Sequence, residues 1–183
     1  MYAEGLENDV TIQIGLTYND MGTSLYEKKR FHEALTILNE ALNFMPMDAG
    51  IHLNRGDTYR ELKRYNLALS DYHYALDLGG KENLIKSRLS LTHYALGTQC
   101  FNQQDYEGAN IEFTRAIDFF AGNAEYYVNR ARSCMQLQLM DSAYRDLKKC
   151  LELNPTHELA SSMLMSFNTD KKLSFHSGRF IKV

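Results

Sequence analysis

Residues able to do chemistry are thinly spread through this sequence. His32-Glu33 and His157-Glu158 each resemble the first half of a helical zinc-hydrolase motif, in which a second histidine four positions on completes the metal site. Those positions hold Thr36 and Ser161, so the second ligand is missing. Cys100, Cys134 and Cys150 suit buried, reduced thiols better than a disulfide or a metal site. The glycines form no phosphate-binding loop. No catalytic residue, metal or cofactor is expected, and the chain is read as non-catalytic.

The same residues make sense as packing. With Gly15 as position 1, repeats begin at Gly15, Ala49, Ser90 and Ala124, so the spacings are 34, 41 and 34. Position 8 holds Gly22, Gly56, Gly97 and Ala131. Position 20 holds Ala34, Ala68, Ala109 and Ala143, and position 27 holds Ala41, Ala75, Ala116 and Cys150. Position 24 is large in each copy: Leu38, Tyr72, Phe113 and Leu147. The two prolines, Pro46 and Pro155, both fall at position 32. Each copy reads as two antiparallel helices, A and B. Small residues sit where the helices cross, and larger ones fill the space beside them. His52 and His93 share position 4, a packing place.

This period, with small residues at positions 8, 20 and 27 and proline at 32, resembles the tetratricopeptide repeat over residues 15–157. The resemblance implies an all-α fold, a right-handed α-α superhelix (TPR solenoid) of four helix-turn-helix repeats and a capping helix. Two departures stand out. The tryptophan common at position 4 is replaced by Tyr18, His52, His93 and Tyr127, and Gly80 and Ala121 replace proline at position 32. The resemblance also implies a concave groove, lined by the A helices, that takes a peptide or helix of another protein. Its groove positions map onto Asn19, Thr23, Leu53, Asn54, Asp57, Arg60, Tyr94, Phe101, Val128, Asn129, Arg132 and Met135. Relatives that clamp the acidic C-terminus of heat-shock chaperones need a set of lysine, asparagine and arginine residues, of which only Asn54 is present. A chaperone clamp is therefore not expected. Tyr94 and Phe101 suit an aliphatic or aromatic anchor, with Asp57, Arg60 and Arg132 supplying specificity. Alternatively, the two rings pack against the chain itself.

The expected layout is an N-terminal extension at 1–12 and a solenoid at 13–170. The repeats are 15–48, 49–89, 90–123 and 124–157, followed by a capping helix at 156–168 and a basic tail at 171–183. Residues 1–10 read as poorly ordered. Ile12, Ile14 and Leu16 either extend the first helix or form an uncapped face. Gly79-Gly80 reads as a helix end. The seven residues added in repeat 2 are expected to lengthen the next helix by about two protruding turns, with a longer loop as the alternative.

Formal net charge is −3, but the segment after Asp170 carries four basic residues and no acid, leaving −7 on the rest. That balance does not favour nucleic acid as a partner. No signal peptide or membrane span is evident. The expected location is cytoplasmic, with cytoskeletal or ciliary assemblies among the settings the resemblance suggests. In the tail, Lys171, Lys172, Phe175, Arg179 and Phe180 could dock an acidic neighbour; otherwise the tail is a solvated end.

Arginine at position 7 occurs only with aspartate at position 23. The spacing thus predicts Arg55–Asp71 and Arg130–Asp146 pairs between helices A and B. Two functions remain open. One is an adaptor binding a partner segment in its groove. The other is a structural subunit held in a large assembly through its convex face, protruding helix and tail.

Overall fold

The computed structural model describes the backbone of residues 2–177 and the side chains of residues 9–167. Among the described residues the regular elements are all α-helices. They are α1 (Tyr2–Glu27), α2 (Phe31–Phe44), α3 (Ala49–Glu61), α4 (Tyr65–Asp77), α5 (Glu82–Asn102), α6 (Tyr106–Phe119), α7 (Ala124–Gln136), α8 (Met140–Leu153) and α9 (Glu158–Ser177). The chain divides into two compact units, Met1–Thr92 and His93–Val183.

In the first unit α1 packs on α2, α2 on α3, and α3 on α4. Ala34, Leu38, Ala41 and Leu42 give α2 one apolar face, and all four are buried. The crossings are as close as the small residues require. A Cβ on Gly22 would lie 2.7 Å from Leu38 Cγ, and one on Gly56 would lie 2.6 Å from Tyr72 Cε1. Each glycine thus meets position 24 of its own repeat. Tyr72 is 0 % exposed, so its ring has little freedom to retreat.

The second unit repeats the device. A Cβ on Gly97 would lie 2.8 Å from Phe113 Cδ1, and Ala109, Ala116, Ala143 and Cys150 are 0 % exposed. Its core joins Tyr126, Val128, Ala131, Leu147 and Ala160, with Met163, Leu164 and Phe167 of α9 packed against them.

The A–B turns share one geometry. Lys29, Lys63, Gln104 and Gln138, all at position 15, adopt φ of 57–64°. Each turn closes with the N–H of the next residue bonded five residues back, as in Arg30 N–H to Leu25 C=O at 2.9 Å and Leu139 N–H to Cys134 C=O at 2.8 Å. This double-bonded ending satisfies the last carbonyls of the A helix. α4 finishes in the same way through Gly79, φ 77°, with Gly80 N–H bonded to Ala75 C=O at 2.9 Å. The other B helices end without a left-handed residue, α6 and α8 passing into extended backbone at Phe120 and Asn154 and α2 ending at Met45 with ψ 68°. Asp48, Asp105 and Asn123 then cap α3, α6 and α7 with side-chain oxygens.

Three expectations are corrected. The residues added in repeat 2 are helical but do not protrude freely. Ile85 and Leu89, four apart on one face of α5, are 1 % and 0 % exposed, because an apolar pair at that spacing gains more from packing than from water. Residues 2–10 do not lie outside the regular structure, since α1 starts at Tyr2 and carries Ile12, Ile14 and Leu16 within it. The capping helix does not stop at 168, since α9 continues to Ser177. Arg179 and Phe180 lie outside the described residues, as do the side chains of Lys171, Lys172 and Phe175.

Candidate functional site

The residues expected to line a groove divide between the two units. On α1 and α3, Asn54 Nδ2 donates to Asn19 Oδ1 at 2.8 Å and approaches Thr23 Oγ1 at 3.4 Å. All three side chains are half-buried. Leu53 is half-buried beside them, and Leu16 is 39 % exposed.

Asp57 is heavily engaged. It accepts from the Tyr72 hydroxyl at 2.7 Å and from Arg88 Nε, and Arg60 lies 3.7 Å away. Burial, and then the neighbouring Asp57 carboxylate, push the Tyr72 phenol far above its ordinary range, so it stays a hydrogen-bond donor. Arg60 also reaches Glu61 at 3.1 Å. Two of the three charges expected to set specificity, Asp57 and Arg60, are therefore largely matched within the unit. Arg88 was not among the sequence candidates. It belongs to the added residues, which have no counterpart in the other repeats.

In the second unit Tyr94 lies against Phe113 and Tyr126, with ring centroids 5.7 and 5.0 Å away. Its hydroxyl accepts from Asn129 Nδ2 at 3.1 Å. Arg132 donates to Asn129 Oδ1 at 3.0 Å and lays its guanidinium over the Phe101 ring, 4.6 Å from the centroid. Phe101 meets Tyr106 edge-on at 5.3 Å. Met135 packs against the core and is half-buried. Tyr94, Phe101, Asn129 and Arg132 thus make one cluster, packed on one side and part-exposed on the other. Val128 is a correction. At 1 % exposure it belongs to the core and presents no surface to a ligand.

The predicted arginine pairs form. Arg55 Nε and Nη2 donate to Asp71 at 2.8 and 2.7 Å, and Arg130 does the same to Asp146. Each arginine also reaches back to position 25 of the preceding repeat, at Asn39 Oδ1 and Thr114 Oγ1. The spacing alone did not show this third contact. Position 4 has a comparable role. His52 Nε2 donates to the Pro46 carbonyl at 2.9 Å, and the Tyr127 hydroxyl donates to Ala121 C=O at 3.2 Å. Both tie a helix A to the junction before it. On their other sides His52 and His93 meet acids at position 23, Asp71 at 3.1 Å and Glu112 at 2.6 Å.

Burial holds all three thiols above their ordinary pKa, that of Cys150 pushed up to about 11. Among the described residues no group of three metal-ligating side chains converges. No described helix is long and apolar enough to cross a membrane.

Comparison with known proteins supports the repeat assignment. The tetratricopeptide-repeat pattern matches residues 124–157. Human tetratricopeptide repeat protein 16 (Homo sapiens) is 30% identical over 152 residues, which covers 83% of this chain and 17% of the relative. The Mus musculus counterpart is 27% identical over the same length, covering 83% of this chain and 20% of that protein. The chain thus spans about a fifth or less of the length of these relatives. Among solved structures, MamA superposes with a TM-score of 0.61 at 19% identity, covering 91% of this chain and 87% of MamA. A chain of the APC/C hetero-tetramer Cut9-Hcn1 gives a TM-score of 0.52 at 17% identity, covering 83% and 29%. The four-copy phase, the close small-residue crossings and these likenesses agree, and the chain belongs to the tetratricopeptide-repeat family.

Proposed function

We propose that this chain is a non-catalytic interaction scaffold that binds a segment of another protein on the faces of its A helices. The observation that carries this reading is the Tyr94–Phe101–Arg132–Asn129 cluster. Its aromatic rings are held rigidly from behind by Phe113, Tyr126 and Tyr106, yet they remain part-exposed. Rigid aromatics with a neighbouring guanidinium lose little conformational entropy on binding, which suits a hot spot. The amide pair Asn19–Asn54 on α1 and α3 offers further half-buried hydrogen-bonding groups.

The test is cross-linking mass spectrometry in the native source, comparing the unaltered chain with a Tyr94→Ala/Phe101→Ala variant. Loss of partner cross-links to α5 and α7 in the folded variant supports the groove reading. Retention of the same cross-links overturns it.

A second reading is a structural subunit held through its B-helix face. Exposed apolar residues on the B helices of each unit favour it, Leu67 and Tyr74 on α4 of the first at 48% and 39% exposure and Ile111 on α6 of the second at 53%. In that case the cross-links map to α4 and α6 and survive the double substitution. Cytoplasmic, cytoskeletal or ciliary residence belongs with these proposals and is tested by localising the tagged full-length protein.

A further inference from the structure

Within the second unit a cleft of about 250 Å³ opens where α6, α7 and α8 meet. Its polar lining is Asn110 of α6, Arg130 and Cys134 of α7, and Ser142, Arg145 and Asp146 of α8. On α7 it faces positions 7 and 11. On α7 the proposed binding face uses Asn129 and Arg132 at positions 6 and 9, and at 100° per residue these point about 100° and 160° away from position 7. The cleft is therefore a different surface.

The charges in the cleft are unequally spent. Arg130 and Asp146 neutralise each other through two hydrogen bonds of 2.8 and 2.7 Å, and the remaining Arg130 nitrogen reaches Thr114 at 3.1 Å. Arg145 is exposed. Its contacts stay within its own helix, 3.3 Å to the Asp141 carbonyl and 3.2 Å to Ser142 Oγ. Among the described residues it has no carboxylate partner. Asn110 Oδ1 receives the Cys134 thiol at 3.8 Å, while its amide N–H groups meet no acceptor among the described residues. The cleft thus holds one unmatched positive charge and free N–H donors.

Repeat 2 provides an internal comparison. Its Arg55–Asp71–Asn39 frame matches Arg130–Asp146–Thr114 in distance and register. At the lining positions, however, it has Leu35, Tyr59, Arg64, Leu67 and Ser70 in place of Asn110, Cys134, Leu139, Ser142 and Arg145. Three bulky residues, Leu35, Tyr59 and Leu67, give way to smaller or more polar ones, and the second arginine moves from position 16 to position 22. The frame is shared, so packing of the frame does not require these changes.

We propose that the cleft binds a carboxylate, namely an aspartate or glutamate side chain of a partner polypeptide. The Arg145 guanidinium rotates off its own helix to pair with it, and the Asn110 amide and Ser142 hydroxyl complete the donor set. One unmatched guanidinium balances one carboxylate. A doubly charged phosphate would face the buried Asp146 carboxylate with half its charge unmatched.

The experiment uses the full chain with ¹⁵N-labelled side chains. Arg145 Nε–H and Asn110 Nδ2–H resonances are followed during titration with N-acetyl-glutamate amide, with inorganic phosphate and with chloride at matched ionic strength. The expected result is a saturable shift of both resonances with the carboxylate. Arg145→Gln should weaken it about tenfold or more, and Ser142→Leu should narrow the cleft and reduce it. Because Arg145 is exposed, its replacement keeps the fold, and unchanged backbone spectra verify this. No saturable shift, equal shifts in Arg145→Gln, or tighter binding of phosphate than of carboxylate each overturns the proposal.

Discussion

Glu112 shows how one side chain can serve two helices. Burial opposes its ionisation, but the contacts with His93 and Arg115 outweigh burial, and its pKa falls below the ordinary value of 4.5. A carboxylate whose pKa is depressed by folding stabilises the native state above its unfolded pKa. That contribution is lost as pH falls through the folded value. Glu112→Gln should therefore cost about 1–2 kcal/mol at pH 7, and the difference from the unaltered chain should shrink as pH drops below about 4.5. Urea unfolding at pH 7 and at pH 3.5 checks this; a difference that does not change with pH removes the ionic account. The arginine pairs were legible in sequence because Arg at position 7 and Asp at position 23 occur together in the same two repeats. The histidine–acid pairs were not, because Asp71 and Glu112 are different residue types and Asp71 was already assigned to Arg55. Val128 was misplaced for a related reason. Position numbers give a direction around the helix, but they do not reveal which neighbour covers it.

At the level of elements, the B-helix ends separate into two kinds. Three end without a left-handed residue, and α4 closes on left-handed Gly79. Around Gly79 a Cβ would meet no atom within 4 Å, so the only obstacle to a side chain there is its φ of 77°. Gly79→Ala should cost about 1 kcal/mol through backbone strain alone. The reverse change, Gln138→Gly at φ 60°, should gain about 0.5 kcal/mol. Thermal unfolding of the two single variants reads both signs, and a neutral Gly79→Ala means the turn has another solution. Helix existence and phase were legible, because glycine and alanine at positions 8, 20 and 27 leave little choice of crossing. The A–B turns were hidden, because Lys29, Lys63, Gln104 and Gln138 lack the glycine that usually signals a left-handed residue. The burial of Ile85 and Leu89 was hidden too, since a helix lengthened by whole turns gives no sign of which neighbour receives its apolar face.

For the molecule as a whole, α9 begins where a fifth helix A would, one period of 34 after Ala124. Its position 8 is Met165, 68% exposed, where the four complete repeats have glycine or alanine. A methionine there prevents the close crossing that a fifth helix B would need. α9 instead lays Met163, Leu164 and Phe167 on the core of the second unit. Removing residues 158–183 should expose that core at about 1–2 kcal/mol per lost side chain, whereas removing 171–183 leaves all three contacts in place. Circular dichroism melts of the two truncations should show a marked fall for the first and a small change for the second. Equal falls would mean that the core depends on residues beyond 170.

The reach of Arg55 and Arg130 to the preceding repeat has a consequence for how such a chain can be duplicated or recombined. Each arginine joins position 25 of one repeat to positions 7 and 23 of the next, so the junction between them, at Pro46 for Arg55 and at Ala121 for Arg130, lies inside a bonded group and does not separate two groups. A copy cut at these junctions would carry the arginine and leave its Asn39 or Thr114 acceptor behind. A copy cut at the A–B turn would sever Arg from Asp instead. The smallest transferable cassette is the run B–A–B, which makes chimeric boundaries safest on the far side of the earlier B helix.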